Sequence, residues 1–188
     1  NEELKFDTSK IYTNLPLVVI AGRPNVGKST LFNRFMKKRV AITDPTPGVT
    51  RDPVEGDTFI LGKPVHLMDT GGYKLTRDIG SMEAVMDDLV VEKTLQKLKE
   101  ADTILLLLEA NQITPEDEEF IQQLRPYWNK LIAAVNKTEG GKNQDYAINY
   151  MKYGFKELLF ISAEHGDKIP ELQEKLIKNI FTFEKICV

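Results

Sequence analysis

Cysteine is almost missing from this chain. Cys187 is the one thiol in 188 residues, so no internal disulfide can form and a reducing, cytoplasmic compartment is expected. Histidine is nearly as scarce. His66 and His165 lie far apart in sequence, and two histidines with one cysteine make no zinc constellation. There is no basic surplus either: 25 Lys and Arg face 28 Asp and Glu, a net charge of −3. That balance disfavours a domain that works purely by binding RNA, and no direct nucleic-acid site is assigned. The longest apolar runs, Leu15 to Ala21 and Ile104 to Leu108, are too short to cross a bilayer, so no membrane association is expected. The stretch Asn1 to Asn14 is polar, shows no secretory signal and reads as a flexible leader. No repeat at solenoid spacing is visible.

Hydrophobic residues make up 41% and charged residues 28%, a balance that supports a packed core rather than a disordered chain. Apolar runs alternate with helical patterns. Strands are expected at Leu15–Ala21, Asp57–Leu61, Pro64–Asp69, Thr103–Glu109, Lys130–Val135 and Leu158–Ile161. Helices are expected at Lys28–Lys38, Ser81–Ala101, from Pro115 onward, Gln144–Tyr153 and Pro170–Phe183. Gly62-Lys63 is the expected tight turn of a hairpin. Unbroken apolar strands are buried on both faces, so the expectation is an α/β fold with a mostly parallel, mixed sheet and helices on both sides. Ligands in such sheets bind beyond the carboxyl ends of the strands. The loops after Ala21, Asp69, Val135 and Ile161 should therefore converge.

The first of these loops carries chemistry. Gly22-Arg23-Pro24-Asn25-Val26-Gly27-Lys28-Ser29 fits the pattern G-x-x-x-x-G-K-[ST] between a strand and a helix. Gly22 and Gly27 let the backbone approach an anion closely, and successive N–H groups form a nest for phosphate oxygens. The helix starting near Lys28 directs its positive dipole end, with Thr30 in its first turn, at the same anion. Lys28 supplies a full charge to the β- and γ-phosphates, and the Ser29 hydroxyl suits Mg²⁺.

Three further stations bear on which nucleotide binds. Asp69-Thr70-Gly71-Gly72 ends an apolar strand; Asp69 can hold Mg²⁺ through water, and the Gly72 N–H can meet a γ-phosphate oxygen. Asn136-Lys137-Thr138-Glu139 matches N-K-x-D with Glu in the last place. A carboxylate there accepts from the N1–H and exocyclic amine of guanine, a donor pair adenine lacks. The longer Glu139 puts its reach, and so the strength of guanine selectivity, in question. Backbone amides of Ser162-Ala163-Glu164 are placed to meet guanine O6, a weak signal taken alone. Asp44 to Pro53, with three prolines and a glycine, excludes helix and central strand. Read alone it is as consistent with an ordinary connection as with a switch segment in which Thr50 reaches Mg²⁺ and the γ-phosphate.

Together, Gly22 to Arg34, Pro47-Gly48-Val49-Thr50-Arg51-Asp52, Asp69-Thr70-Gly71-Gly72 and Ser162-Ala163-Glu164 resemble the Der (EngA) family of bacterial tandem GTPases. The likeness is to the family's first GTPase domain, within the wider group that includes Era and MnmE. It covers roughly residues 15 to 184, leaving 185–188 as a tail; Glu139 departs from the family's Asp. The resemblance implies GTP hydrolysis with Mg²⁺ and a role in maturing the large ribosomal subunit. Full-length members carry a second GTPase domain and a KH-like domain, so the chain reads as an excised domain, with ribosome docking largely in the missing parts.

Tyr73 stands where many small GTPases place a water-orienting glutamine, and it is not expected to act as a base. Arg23 and Arg51 lie near the site without an assignable direction. In this group a potassium ion can replace the arginine charge, with the loop asparagine, here Asn25, as a ligand; Asn25 alternatively only caps the loop. The candidate catalytic residues are thus Lys28, Thr50, Gly72 and Asn25. The candidate metal ligands are Ser29, Thr50 and Asp69 for Mg²⁺ and Asn25 for K⁺. Rival readings are a nucleotide-gated binding module with negligible hydrolysis, and a P-loop ATPase. His66 is expected as a satisfied sheet residue and His165 as a solvated loop residue. Tyr127 and Trp128 are expected to cover the core edge, and Glu116 to Glu119 to form a solvated helix start.

Overall fold

The computed structural model describes residues 14–37, 54–71, 84–138 and 148–181, with backbone alone for 84–90. The leader through residue 13, the switch segment, Gly72, Tyr73, Ser81, Glu139 and the tail lie outside the described residues.

Six strands form one sheet: β1 (Leu17–Ala21), β2 (Val54–Ile60), β3 (Lys63–Asp69), β4 (Thr103–Glu109), β5 (Leu131–Asn136) and β6 (Leu158–Phe160), in the order β2-β3-β1-β4-β5-β6. All neighbours pair in parallel except β2 with β3. The helices are α1 (Lys28–Met36), α2 (Ala84–Glu100), α3 (Pro115–Leu124) and α4 (Ile169–Phe181), with a 3₁₀ turn at Arg125–Lys130. The expected mixed α/β sheet is the observed one.

The central strands explain why their sequences do not alternate. Every residue of β1 is buried, but its side chains divide between two cores. Val18 and Ile20 pack with Leu31 and Phe35 of α1 and Leu172 and Leu176 of α4. Val19 and Ala21 pack on the other face with Leu98 of α2 and Phe120 and Leu124 of α3. Strand β4 divides the same way, Leu105 and Leu107 against Leu106 and Leu108. Each such Val, Leu or Ile side chain contributes about 2 kcal/mol on burial, and each face of the sheet needs its own helical layer to stay dry.

Element ends differ from expectation for local reasons. The hairpin turn is Leu61-Gly62, not Gly62-Lys63: both residues have positive φ, 50° and 78°, which a two-residue turn of matching twist requires. Strand β2 accordingly begins at Val54 and pairs through to Asp69. Helix α1 stops at Met36 because Lys37 turns left-handed at φ 54°. Residues 148–151 are helical, and Gly154 at φ 71° ends that segment with its N–H on Met151 O. Pro115 opens α3, capped by Thr114 in a capping box with Asp117.

That capping box corrects one expectation. Glu116 and Glu118 are exposed, but the Asp117 side chain is 1% exposed and therefore no part of a solvated run. Trp128 stacks on Phe155 at 4.8 Å and donates to Gly154 O, closing the core edge as expected. His66 sits half-exposed between Asp57 and Glu55, a satisfied sheet residue. His165 is exposed.

Candidate nucleotide site

The four predicted loops leave the carboxyl ends of β1, β3, β5 and β6, and the hydrogen bonds between them show that they meet. The loop after β1 turns three times through positive φ, at Gly22 (150°), Asn25 (69°) and Gly27 (104°), a shape in which successive amides face inward. Its two glycines are steric necessities. A Cβ at Gly22 would lie 2.7 Å from Leu107 O, and one at Gly27 would lie 2.2 Å from Asn136 Nδ2.

Lys28, the first residue of α1, folds back into this loop. Its ammonium donates to Gly22 O and Arg23 O, each at 2.8 Å. An ammonium has three N–H donors, so one remains for an incoming oxygen. Burial lowers its pKa to about 8, partly offset by the Asp69 carboxylate. The next residue, Ser29, donates its hydroxyl to Asp69 Oδ2 at 3.3 Å, and Asp69 Oδ1 accepts from the Gly71 N–H. A hydroxyl and one carboxylate, with all-oxygen donors, fit a Mg²⁺ ion that takes its other ligands from phosphates and water. Among the described residues no cluster of three or more carboxylate, imidazole or thiol groups could hold a metal alone.

Asn136 joins three segments. Its Nδ2 donates to Val26 O at 2.8 Å, and its Oδ1 accepts from the Ala163 N–H at 2.9 Å. Lys137, at φ 65°, reaches Asn25 O and Glu109 Oε1, both at 3.2 Å. Thr138 Oγ1 donates to Ile161 O, and Thr70 Oγ1 donates to Ile20 O, so both hydroxyls bond within the fold. Val26 is buried in the core and offers only its backbone. Pro24, Asn25, Ser29 and Thr30 are exposed around the loop, as is Glu164. Thr50, Gly72, Tyr73 and Glu139, all candidate site residues, fall outside the described residues.

Arg23 has a direction here that its sequence could not give. Its guanidinium binds Glu109 at the end of β4 and, through Nε at 3.1 Å, Asp117 of α3. Burial works against the charge, but the bonds to Glu109 and Asp117 outweigh it and raise the pKa. Glu109 is held charged in turn: burial favours the acid, while Arg23 and Lys137 hold it below the usual carboxylate range. Glu109 and Asp117 are site residues that motif matching missed. A signal was present, because β4 is also a parallel strand and its carboxyl end is Glu109. Tyr150 closes this cluster by donating to Glu109 O, and burial raises its pKa.

The geometry has close relatives. The pattern of the 50S ribosome-binding GTPase family matches residues 17–137. GTPase Der of Treponema pallidum is 49% identical over 174 residues, which is 93% of this chain and 37% of that protein. GTPase Der of Borreliella afzelii is 40% identical over 85% of this chain and 35% of its own length. The chain thus spans little more than a third of the Der relatives it matches. Among solved structures, a variant of Aquifex aeolicus Era bound to GDP and aluminium fluoride aligns with a TM-score of 0.71 at 30% identity, covering 89% of this chain and 57% of that one. Era in complex with MgGDPNP and a segment of 16S ribosomal RNA aligns at 0.73 and 31% identity, with the same coverage. With its phosphate loop, sheet order and matched sequence pattern, the chain belongs to the 50S ribosome-binding GTPase family.

Proposed function

We propose that this domain binds GTP and GDP with Mg²⁺ and hydrolyses GTP, slowly alone and faster in K⁺ than in Na⁺. The observation that carries the reading is the Lys28 ammonium, seated inside the loop after β1 with one donor to spare. In this reading a polyphosphate lies in the cradle of amides from Gly22 to Thr30, with Lys28 on its β- and γ-oxygens. Ser29, Asp69 and Thr50 hold Mg²⁺, which when bound neutralises charge on the phosphates and orients them. The guanine base sits between Asn136, Lys137 and Glu139 on one side and Ser162-Ala163-Glu164 on the other. Asp69, Gly71 and Gly72 border the γ-phosphate with Tyr73 beside them. Arg23, tied to two carboxylates, serves the loop's shape and does not reach for the leaving oxygen.

Asn25 supports the potassium part of the reading. Lys137 pins its carbonyl at 3.2 Å while the residue itself remains exposed above the loop, where an amide oxygen can join phosphate oxygens around a monovalent cation. Such a cation offsets charge developing on the leaving oxygen. The description of the matched family as 50S ribosome-binding supports a role at the large ribosomal subunit.

Single-turnover hydrolysis of labelled GTP with Mg²⁺, run in K⁺ and again in Na⁺, tests this. A faster rate in K⁺ supports the whole reading. Equal, measurable rates remove Asn25 from catalysis and leave hydrolysis standing. Tyr73 in the place of a water-orienting glutamine favours a second reading, a nucleotide-gated module, which absence of turnover in both salts would support.

A further inference from the structure

We infer that Arg34, in the last turn of α1, is the positioning residue that sets purine selectivity by fixing the Ser162–Glu164 loop from behind; this rests on the nucleotide reading above. The guanidinium spans two consecutive carbonyls. Nε donates to Ala163 O and Nη2 to Glu164 O, each at 2.7 Å. These are short, charge-assisted bonds in a fork geometry that a lysine cannot reproduce. Gly166 makes room for it: a Cβ there would lie 3.1 Å from Arg34 Nη1, at a backbone φ of 83° that disfavours side chains in any case.

The consequence follows from peptide geometry. In a trans peptide the N–H points opposite to the C=O. Arg34 captures the Ala163 carbonyl, so the N–H of the same peptide, that of Glu164, is turned away from the guanidinium. The other amides of the loop are committed. Ser162 N–H donates to Asp167 O, Ala163 N–H to Asn136 Oδ1, His165 N–H to Ser162 Oγ and Gly166 N–H to Ser162 O. Glu164 N–H is the amide of this loop that none of these bonds engages. Guanine carries a carbonyl at position 6, which accepts from such a donor. Adenine carries an amino group there, which presents another donor and leaves the amide unsatisfied, a costly mismatch. Arg34 never touches the base; it aims the donor that reads it. Because α1 also begins with Lys28 and Ser29, one rigid helix links the phosphate grip at its first turn to the base-reading loop at its last.

The test measures GDP and ADP affinities, with Mg²⁺, for the wild type, Arg34→Ala, Arg34→Lys and Gly166→Ala. The wild type comes first: failure to prefer GDP would overturn the nucleotide reading itself, before any variant is considered. Given that preference, Arg34→Ala is expected to reduce the GDP-to-ADP affinity ratio about tenfold, the effect of losing about one charge-assisted hydrogen bond. ADP affinity should change less than about twofold, since the phosphate loop is untouched. Arg34→Lys should fall between the two. A ratio unchanged in Arg34→Ala, or equal weakening of both nucleotides as a merely structural role would produce, overturns the inference. Should Arg34→Ala not fold, Gly166→Ala, which presses on the guanidinium, carries the same expectation and the same refutation.

Discussion

The Lys28 ammonium makes binding depend on pH in a way that can be worked out from its surroundings. Burial holds its pKa near 8, well below a free lysine, because the loop carbonyls and Asp69 only partly replace water. In the proposed complex a bound polyphosphate places several negative oxygens at the ammonium and restores the charged form across the working range. The free site at pH 8 is half protonated, so binding takes up about half a proton there. The charged fraction falls from about 0.9 at pH 7 to about 0.25 at pH 8.5, and affinity should fall about fourfold over that interval, in which the guanine N1 keeps its proton. The same shift makes the free fold more stable as pH rises from about 8 toward 10.5, because the unfolded lysine binds more protons there. Titration calorimetry of GDP at pH 8, in two buffers of different ionisation enthalpy, measures the proton count directly. Buffer-independent enthalpies with flat affinity from pH 7 to 8.5 would refute the placement of a depressed lysine at the phosphates.

Two further outcomes follow from packing. Gly27→Ala drives a Cβ to within 2.2 Å of the Asn136 amide, which cannot yield because it is bonded to Val26 O and Ala163 N–H; with φ at 104°, a loss of about 2 kcal/mol or more is expected in urea unfolding, together with weakened nucleotide binding. Arg23→Ala leaves the 1%-exposed Asp117 carboxylate without its counter-charge and should cost about 3 kcal/mol, read as a lower urea midpoint; a loss below about 1 kcal/mol would mean that the pair is screened by solvent.

Much of this site was legible because its chemistry is local. Gly22 to Ser29 needs only a strand before it and a helix after it to become an anion cradle, and both elements stand out from the periodicity. The alternation of strands and helices alone indicates which loops meet. What stayed hidden depended on long-range partners. Arg23 reads as a free cation in sequence, and only the approach of β4 and α3 shows that Glu109 and Asp117 hold it. Asp117 reads as one of four acidic residues in a row; the capping box and the guanidinium bury that one alone. Arg34 reads as an ordinary basic residue near a helix end, and its two carbonyl partners lie about 130 positions away. Thr70 and Thr138 sit inside motifs, and only the fold shows that their hydroxyls bond to Ile20 O of β1 and to Ile161 O just past β6.

The central claim is that amides and one lysine at the end of β1 enclose the polyphosphate of a guanine nucleotide. Displacement of a fluorescent GDP from the folded domain by GTP and by ATP, in Mg²⁺ and K⁺, measures this most directly. Full displacement by GTP at concentrations where ATP displaces none is the predicted result. A folded domain that takes up no guanine nucleotide, or one that ATP empties as readily as GTP, would contradict it.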